Sequence, residues 1–234
     1  MKTLNALVAA AAVVAVGAVA TSCNSKPSAN LSTAVDSVSY ALGVRNGAYF
    51  KEGLGTLPGG EVNVDALLVG FSEALKGDST QMSPQEAEIF MQKYFREAQA
   101  KEAQQNKEEG EKFLAENKTK SGVITTESGL QYQVVKEGNG PKPTDKDRVK
   151  VHYTGTLLDG TKFDSSVDRG EPAEFGVTQV IKGWTEGLQL MPVGSKYIFW
   201  IPSELAYGER QAGPQIKPNS VLKFEVELLE IVKK

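Results

Sequence analysis

The sequence predicts an α+β protein with a helical N-terminal half, one long linking helix, and a C-terminal antiparallel sheet accompanied by one short helix. Three observations predict it. Large apolar residues recur three and four positions apart in the first half, as in Val35, Val38 and Leu42, which is the period of one helix face. From Thr125 onward the pattern becomes alternation, as in Val149, Val151 and Tyr153, the period of a strand with one buried face. Between the two, residues 99–112 hold no large apolar side chain yet keep helix-forming residues.

The chain has 234 residues, 40% hydrophobic and 24% charged. That composition is ordinary for a soluble globular protein, and the length suits one large domain or two small ones. A net charge of -3 gives no reason to expect a nucleic-acid partner, which favours a basic surface. At the N-terminus, Lys2 precedes an uncharged apolar run over residues 7–19, and Ala20, Thr21 and Ser22 are small. This reads as a secretory signal peptide over residues 1–22. The alternative, a transmembrane anchor, needs about 20 apolar residues. Cys23 is the sole cysteine, so no internal disulfide is possible. Its place after small residues is similar to a bacterial lipobox, although Ala20 stands where a leucine is usual. Cys23 is therefore the expected lipidation site, a lipid chain there the membrane anchor, and residues 23–30 a flexible tether. The alternative is an incidental cysteine beside ordinary signal cleavage.

Each helix has its own signals. Val35, Val38, Leu42, Arg45 and Tyr49 share a stripe, which Gly53, Gly55, Pro58, Gly59 and Gly60 end. Val64, Leu67, Leu68, Phe71 and Leu75 form a second stripe, with Asp65 near its start and Gly77 past its end. Ser83-Pro84-Gln85-Glu86 combines an N-cap, a proline at the first helical position and the glutamate of a capping box. Ile89, Phe90, Met91, Tyr94 and Phe95 follow as a broad apolar stripe. Glu97 with Lys101 and Glu108 with Lys112 are i,i+4 pairs in the favourable order. Residues 99–122 are expected to be a linker helix, polar on all sides and bridging through solvent, or else a frayed linker. Residues 31–98 make a thin core. They are expected to pair with a second copy as a homodimer, the alternative being an isolated helical domain of a monomer.

Residues 123–234 form the sheet domain. Leu130, Tyr132 and Val134 alternate, as do Tyr197, Phe199 and Ile201, and then Leu222, Phe224, Val226 and Leu228. Residues 183–190 read as a short helix with Trp184 and Leu188 one turn apart, ended by Pro192 and Gly194. His152 is the only histidine, and alternation turns it away from the Tyr153 face. With Cys23 at the far terminus, neither a Cys-His nor a Ser-His-Asp set can assemble, and no metal site rich in His or Cys is expected. No cofactor is expected.

Four segments appear in order: Val151-His152-Tyr153-Thr154-Gly155, then Asp159-Gly160-Thr161-Lys162-Phe163-Asp164-Ser165-Ser166, then Val180-Ile181-Lys182-Gly183-Trp184, then Leu205-Ala206-Tyr207-Gly208. Together they resemble the FKBP-type peptidyl-prolyl isomerases. The stretch Asp36-Ser37-Val38-Ser39-Tyr40-Ala41-Leu42-Gly43 more loosely resembles the dimerisation region of the Mip/FkpA subgroup. The resemblance implies an antiparallel sheet wrapped on one short helix. It also implies an apolar pocket formed by Tyr153, Phe163, Phe175, Val180, Ile181, Trp184 and Phe224, with Trp184 as the floor under a proline ring. Asp164 and Tyr207 match polar groups at the rim, Tyr207 donating its hydroxyl to a substrate carbonyl. The Ile181 N–H would bind the carbonyl preceding the proline. Arg169 would orient Tyr153 and Asp164, while Gln179 and Ile216 would make flanking contacts. Ala173 stands where some members have an aromatic residue, Gln179 replaces a frequent glutamate, and residues 209–217 form a variable flap.

Such a site suits bond rotation. The barrier of an X-Pro bond is amide resonance, of order 18–20 kcal/mol, and uncatalysed isomerisation takes tens to hundreds of seconds. A twisted amide has less charge separation than a planar one, so an apolar site favours it, which is differential binding of the transition state. Expected partners are unfolded or partly folded proteins with X-Pro bonds, with rapamycin-like macrolides as inhibitors. The family expectation is a cell-envelope lipoprotein in the outer membrane facing the periplasm. The competing reading is a holdase chaperone or proline-peptide binding module without significant turnover. A docking role for residues 31–98 is a third.

Overall fold

The computed structural model describes residues 28–55 and 57–232, so the predicted signal peptide and Cys23 lie outside the described residues. The chain divides into two compact units, Met1–Tyr49 and Phe50–Lys234. The division falls inside the first helix, α1 (Ala34–Leu54). In the first unit Thr33 and Asp36 cap this helix reciprocally. The Thr33 N–H donates to Asp36 Oδ2 at 2.9 Å, and the Asp36 N–H donates to Thr33 Oγ1 at 3.1 Å. No residue of α1 is buried, and Val35, Val38 and Leu42 remain exposed.

The second unit begins with the end of α1 and two further helices. In α2 (Val64–Lys76) the Asn63 side chain accepts the Ala66 N–H, and Gly77 closes the C-terminus with φ 74°. Phe71 on α2 meets Phe50 edge-on, with centroids 6.4 Å apart. In α3 (Pro84–Asn117) Ser83 and Glu86 form both halves of the expected capping box. At 34 residues, α3 spans about 50 Å.

The second half of α3 differs from the solvent-bridging linker that its polarity suggests. One stripe, Ala103, Asn106, Gly110, Leu114 and Asn117, lies against the sheet domain. Asn106 Nδ2 donates to the Pro218 carbonyl at 2.9 Å, and Gln131 Nε2 donates to the Leu114 carbonyl at 2.8 Å. Asn117 Nδ2 donates to Gln131 Oε1 at 2.9 Å, and Asn117 is 1% exposed. A Cβ on Gly110 would lie 2.7 Å from Val221 Cγ2, so the close approach requires the glycine. The helix is polar on this face because hydrogen bonds and the missing Cβ hold it there.

The sheet has seven strands: β1 (Val123–Thr125), β2 (Gln131–Lys136), β3 (Arg148–Thr156), β4 (Lys162–Ser165), β5 (Ala173–Gly176), β6 (Lys196–Ile201) and β7 (Leu222–Val232). All pairings are antiparallel. The order is β1-β2-β6-β7-β3-β4, with β5 also pairing β3. β3 alternates between buried and half-buried along its whole length, and β7 along most of its own, as period-2 patterning requires. Their inward residues Val149, Val151, Leu222, Val226 and Leu228 are fully buried. The helix α4 (Lys182–Leu190) contributes Trp184 and Leu188 to the same core.

Candidate active site

Strand register assembles the pocket. Tyr153 lies on β3. Its neighbour two residues on, Gly155, pairs with Asp164 on β4 and with Phe224 on β7. A Cβ at Gly155 would lie 2.6 Å from the Phe163 ring and 2.7 Å from the Phe224 ring. The glycine of the first motif thus lets two rings from flanking strands close over β3. β5 brings Phe175 opposite Val149, and the turn before α4 carries Gln179, Val180 and Ile181. Ile181 is the N-cap of α4, and its carbonyl accepts the Trp184 and Thr185 N–H groups. Its own N–H lies outside the helical ladder.

Trp184 is 4% exposed and central to the rings. Its ring stands edge-to-face against Tyr153 at 5.1 Å, Phe224 at 5.2 Å and Phe175 at 5.7 Å, while Phe163 meets Phe224 at 5.4 Å. Such pairs contribute about 0.5–1.5 kcal/mol each beyond area burial, so the ring contacts themselves favour this arrangement of the cage. The cavity above it measures about 710 Å³, a size typical of ligand sites. Among its lining residues only Asp164 and Arg210 carry charge.

The polar rim is tightly bonded. The Tyr153 hydroxyl donates to Asp164 Oδ2. Arg169 donates from one guanidinium nitrogen to Asp164 Oδ1 and from another to the Tyr153 hydroxyl at 3.0 Å. The guanidinium also lies 5.6 Å from the Tyr153 ring centroid. Burial opposes ionisation of Asp164, but hydrogen bonds from Tyr153 and Arg169 outweigh it and hold the carboxyl below its ordinary value. Burial and the Asp164 bond raise the Tyr153 phenol. Bonds to Tyr153 and Asp164 raise Arg169 further above its ordinary value. At neutral pH the rim is a carboxylate, a neutral phenol and a guanidinium, fixed by mutual bonding and unsuited to proton transfer.

The structure brings together Tyr153, Phe163, Asp164, Phe175, Gln179 and Val180 around one cavity, with Ile181, Trp184, Tyr207, Ile216 and Phe224 completing the predicted set. Arg169 stands outside the lining and reaches it through Tyr153 and Asp164. Tyr207 is 37% exposed, and its hydroxyl bonds to none of the described residues. His152 sits apart, its Nδ1 3.1 Å from Ser166 Oγ. Ala206, Arg210, Ala212, Gly213, Pro214 and Gln215 also line the cavity; the sequence puts Ala206 in the fourth motif and the others in the variable flap, without assigning any of them to the site. They belong to a loop whose tip is a small hairpin, the Ala212 N–H donating to the Ile216 carbonyl at 2.9 Å. The Gly213-Pro214 pair is the available signal, since it marks a turn, but it does not say where the turn folds.

Comparison with known proteins agrees with this architecture. Residues 140–229 match the model of the FKBP-type peptidyl-prolyl cis-trans isomerase domain, and residues 35–134 match the model of the domain amino-terminal to it. The chain is 50% identical over 216 residues to the FKBP-type isomerase FkpA of Aeromonas hydrophila, covering 88% of this chain and 80% of that one. It is 40% identical over 211 residues to the outer membrane protein MIP of Legionella longbeachae, covering 87% and 88%. The crystal structure of FkpA from Escherichia coli superposes with a TM-score of 0.67 at 37% identity, over 86% of this chain and 98% of the other. An aromatic cage, two family models that between them match residues 35–134 and 140–229, and relatives matched over most of their length lead to one conclusion: the chain belongs to the FKBP-type peptidyl-prolyl cis-trans isomerases.

Proposed function

We propose that the cavity between β3, β4, β7 and α4 is where an X-Pro bond is isomerised, through stabilisation of the twisted amide. The observation carrying this reading is the Trp184-centred cage, apolar at its base and polar only at its rim. Trp184 is the platform for the proline ring, flanked by Tyr153, Phe163, Phe175, Val180 and Phe224. Loss of amide resonance is favoured there because the twisted form needs less solvation than the planar one. The Ile181 N–H binds the carbonyl before the proline, the Tyr207 hydroxyl donates to a second carbonyl, and Gln179 and Ile216 contact flanking residues. Arg169 keeps Asp164 and Tyr153 in place.

The test is the cis-to-trans rate of a Leu-Pro or Phe-Pro peptide, by exchange NMR, using residues 24–234. Tyr207→Phe, which removes one hydrogen bond, is expected to lower kcat/KM roughly fivefold with no change in thermal midpoint. Trp184→Leu is expected to abolish most of the acceleration while the protein stays folded. A Trp184→Leu protein with the wild-type rate would sink the reading. Rapamycin is expected to compete with the peptide.

We also infer a paired, membrane-tethered protein. Neither α1 nor α2 buries a residue, and exposed apolar faces of this kind mark association surfaces. The reading is that residues 31–98 form a homodimer and that α3 separates the pair from two isomerase domains. The leader pattern and Cys23 support export and lipidation. The outer-membrane designation of the Legionella relative supports an envelope location facing the periplasm. The same exposed faces support a second activity as a holdase on unfolded clients. Aggregation suppression that survives Trp184→Leu would show it to be separate from isomerisation.

A further inference from the structure

The loop from Ala206 to Val221 supplies one wall of the cavity, including Tyr207, Arg210, Ala212 and Ile216. A loop of this length is mobile unless its ends are fixed. One backbone bond closes its base: the Asn219 N–H donates to the Gly208 carbonyl at 2.8 Å, immediately after Tyr207. Asn219 makes that bond from the left-handed region, at φ 61°, and no other non-glycine residue among the described ones has positive φ. A non-glycine residue in this conformation persists where its surroundings hold it.

The holding contacts come from α3. Asn219 Nδ2 donates to the Ala103 carbonyl at 3.1 Å. In return Asn106 Nδ2 donates to the carbonyl of the adjacent Pro218 at 2.9 Å. Two amide side chains thus cross one seam in opposite directions, each reaching the other segment's backbone. Lys217 Nζ lies 4.0 Å from Glu102 Oε1 beside them. We propose that Asn219 is a positioning residue for the isomerase site: its side chain fixes the loop base to α3 and its backbone N–H sets the place of Tyr207. The inference rests on the reading of the cavity as the proline-peptide site. It assigns the second half of α3 a role in substrate binding as well as separation.

The experiment uses the full-length chain and three variants. Asn219→Gly keeps the left-handed backbone easy and removes the bond to Ala103. Asn219→Asp keeps the shape and the left-handed tolerance but sets an acceptor against the Ala103 carbonyl. Asn106→Ala combined with Asn219→Gly removes both crossings. The double variant is expected to raise KM about tenfold with kcat within about twofold, and to speed hydrogen exchange at the amides of residues 208–216. Asn219→Asp should behave like Asn219→Gly. Wild-type KM and wild-type exchange in the double variant would overturn the proposal. So would a lowered thermal midpoint with unchanged KM, which is a structural role only, or an Asn219→Asp protein indistinguishable from wild type. A wild-type protein that fails to accelerate isomerisation would defeat the pocket reading instead, while the exchange measurement would still decide whether α3 anchors the loop.

Discussion

In the sheet domain, Val149, Val151, Phe199, Leu222 and Leu228 are fully buried within a single chain, whereas Val38, Leu42, Leu68 and Phe71 on α1 and α2 remain 46–58% exposed. Both sets follow a clean apolar period in the sequence. The difference lies in what covers them. Strands far apart in sequence pair with each other, as β3 does with β7, and close a core around α4. The helices have too few neighbours of their own to do so. Apolar periodicity therefore reports that a face will be covered, and leaves open whether the cover is the same chain or another one. The second half of α3 is a third case, covered through amides and a glycine.

The largest test of this contrast compares two phenylalanines. Phe199→Ala, in the closed core, is expected to cost about 3–5 kcal/mol by chemical denaturation. Phe90→Ala, at 61% exposure on α3, should change the stability of a single chain by less than about 0.5 kcal/mol. It should instead weaken self-association in sedimentation analysis. Equal losses in both would break the comparison.

Two glycines sharpen it next. Gly110→Ala drives a Cβ against Val221 and should destabilise by about 1–3 kcal/mol. Nothing in the chain itself stands within 4 Å of a Cβ on Gly70 in α2, so Gly70→Ala should stabilise the helix of a single chain by up to about 1 kcal/mol. A loss there would place a second chain over that face.

Two pH effects are smaller. The folded value of Tyr197 is pushed up to about 12 from 10.0 by burial and the nearby Glu137. Its contribution is whole below pH 10 and lost as pH rises from 10 toward about 12, which a denaturation series in that window reads directly. Asp164 has the opposite sign. Its folded value is lowered, so its contribution is present above the ordinary carboxylate value and lost only as pH falls through the lowered one. The isomerisation rate should accordingly stay flat across the neutral range. The smallest effect is expected for Lys93→Ala. Its partner Glu97 lies 4.0 Å away with both side chains about 70% exposed, so the change in thermal midpoint should be within error.

Much of this molecule is legible in its sequence. The capping box of Ser83 and Glu86, the glycine after α2, the alternation of β3 and β7 and the short helix carrying Trp184 are local features, and local chemistry specifies them. The site was legible in a different way. Tyr153, Phe163, Asp164, Trp184 and Phe224 lie in recognisable motifs, but taken singly each is an ordinary core residue. Only the tertiary structure shows that Phe163 and Phe224 converge over Gly155. Apart from Tyr207 and Ile216, the cavity wall from Ala206 to Ile216 is the least legible part, because a loop has no period and its course depends on what holds its ends.

The sequence alone determined the fold class, the order of elements and the chemical character of the site, because side-chain period and capping chemistry act within a few residues. Tertiary structure decided that Ala103, Asn106, Gly110 and Asn117 form a docking face, and that Asn219 closes the pocket loop from a left-handed backbone. Those contacts rest on amide hydrogen bonds to distant carbonyls and on the absence of one Cβ. Neither leaves an apolar signature in the sequence from which packing could be read.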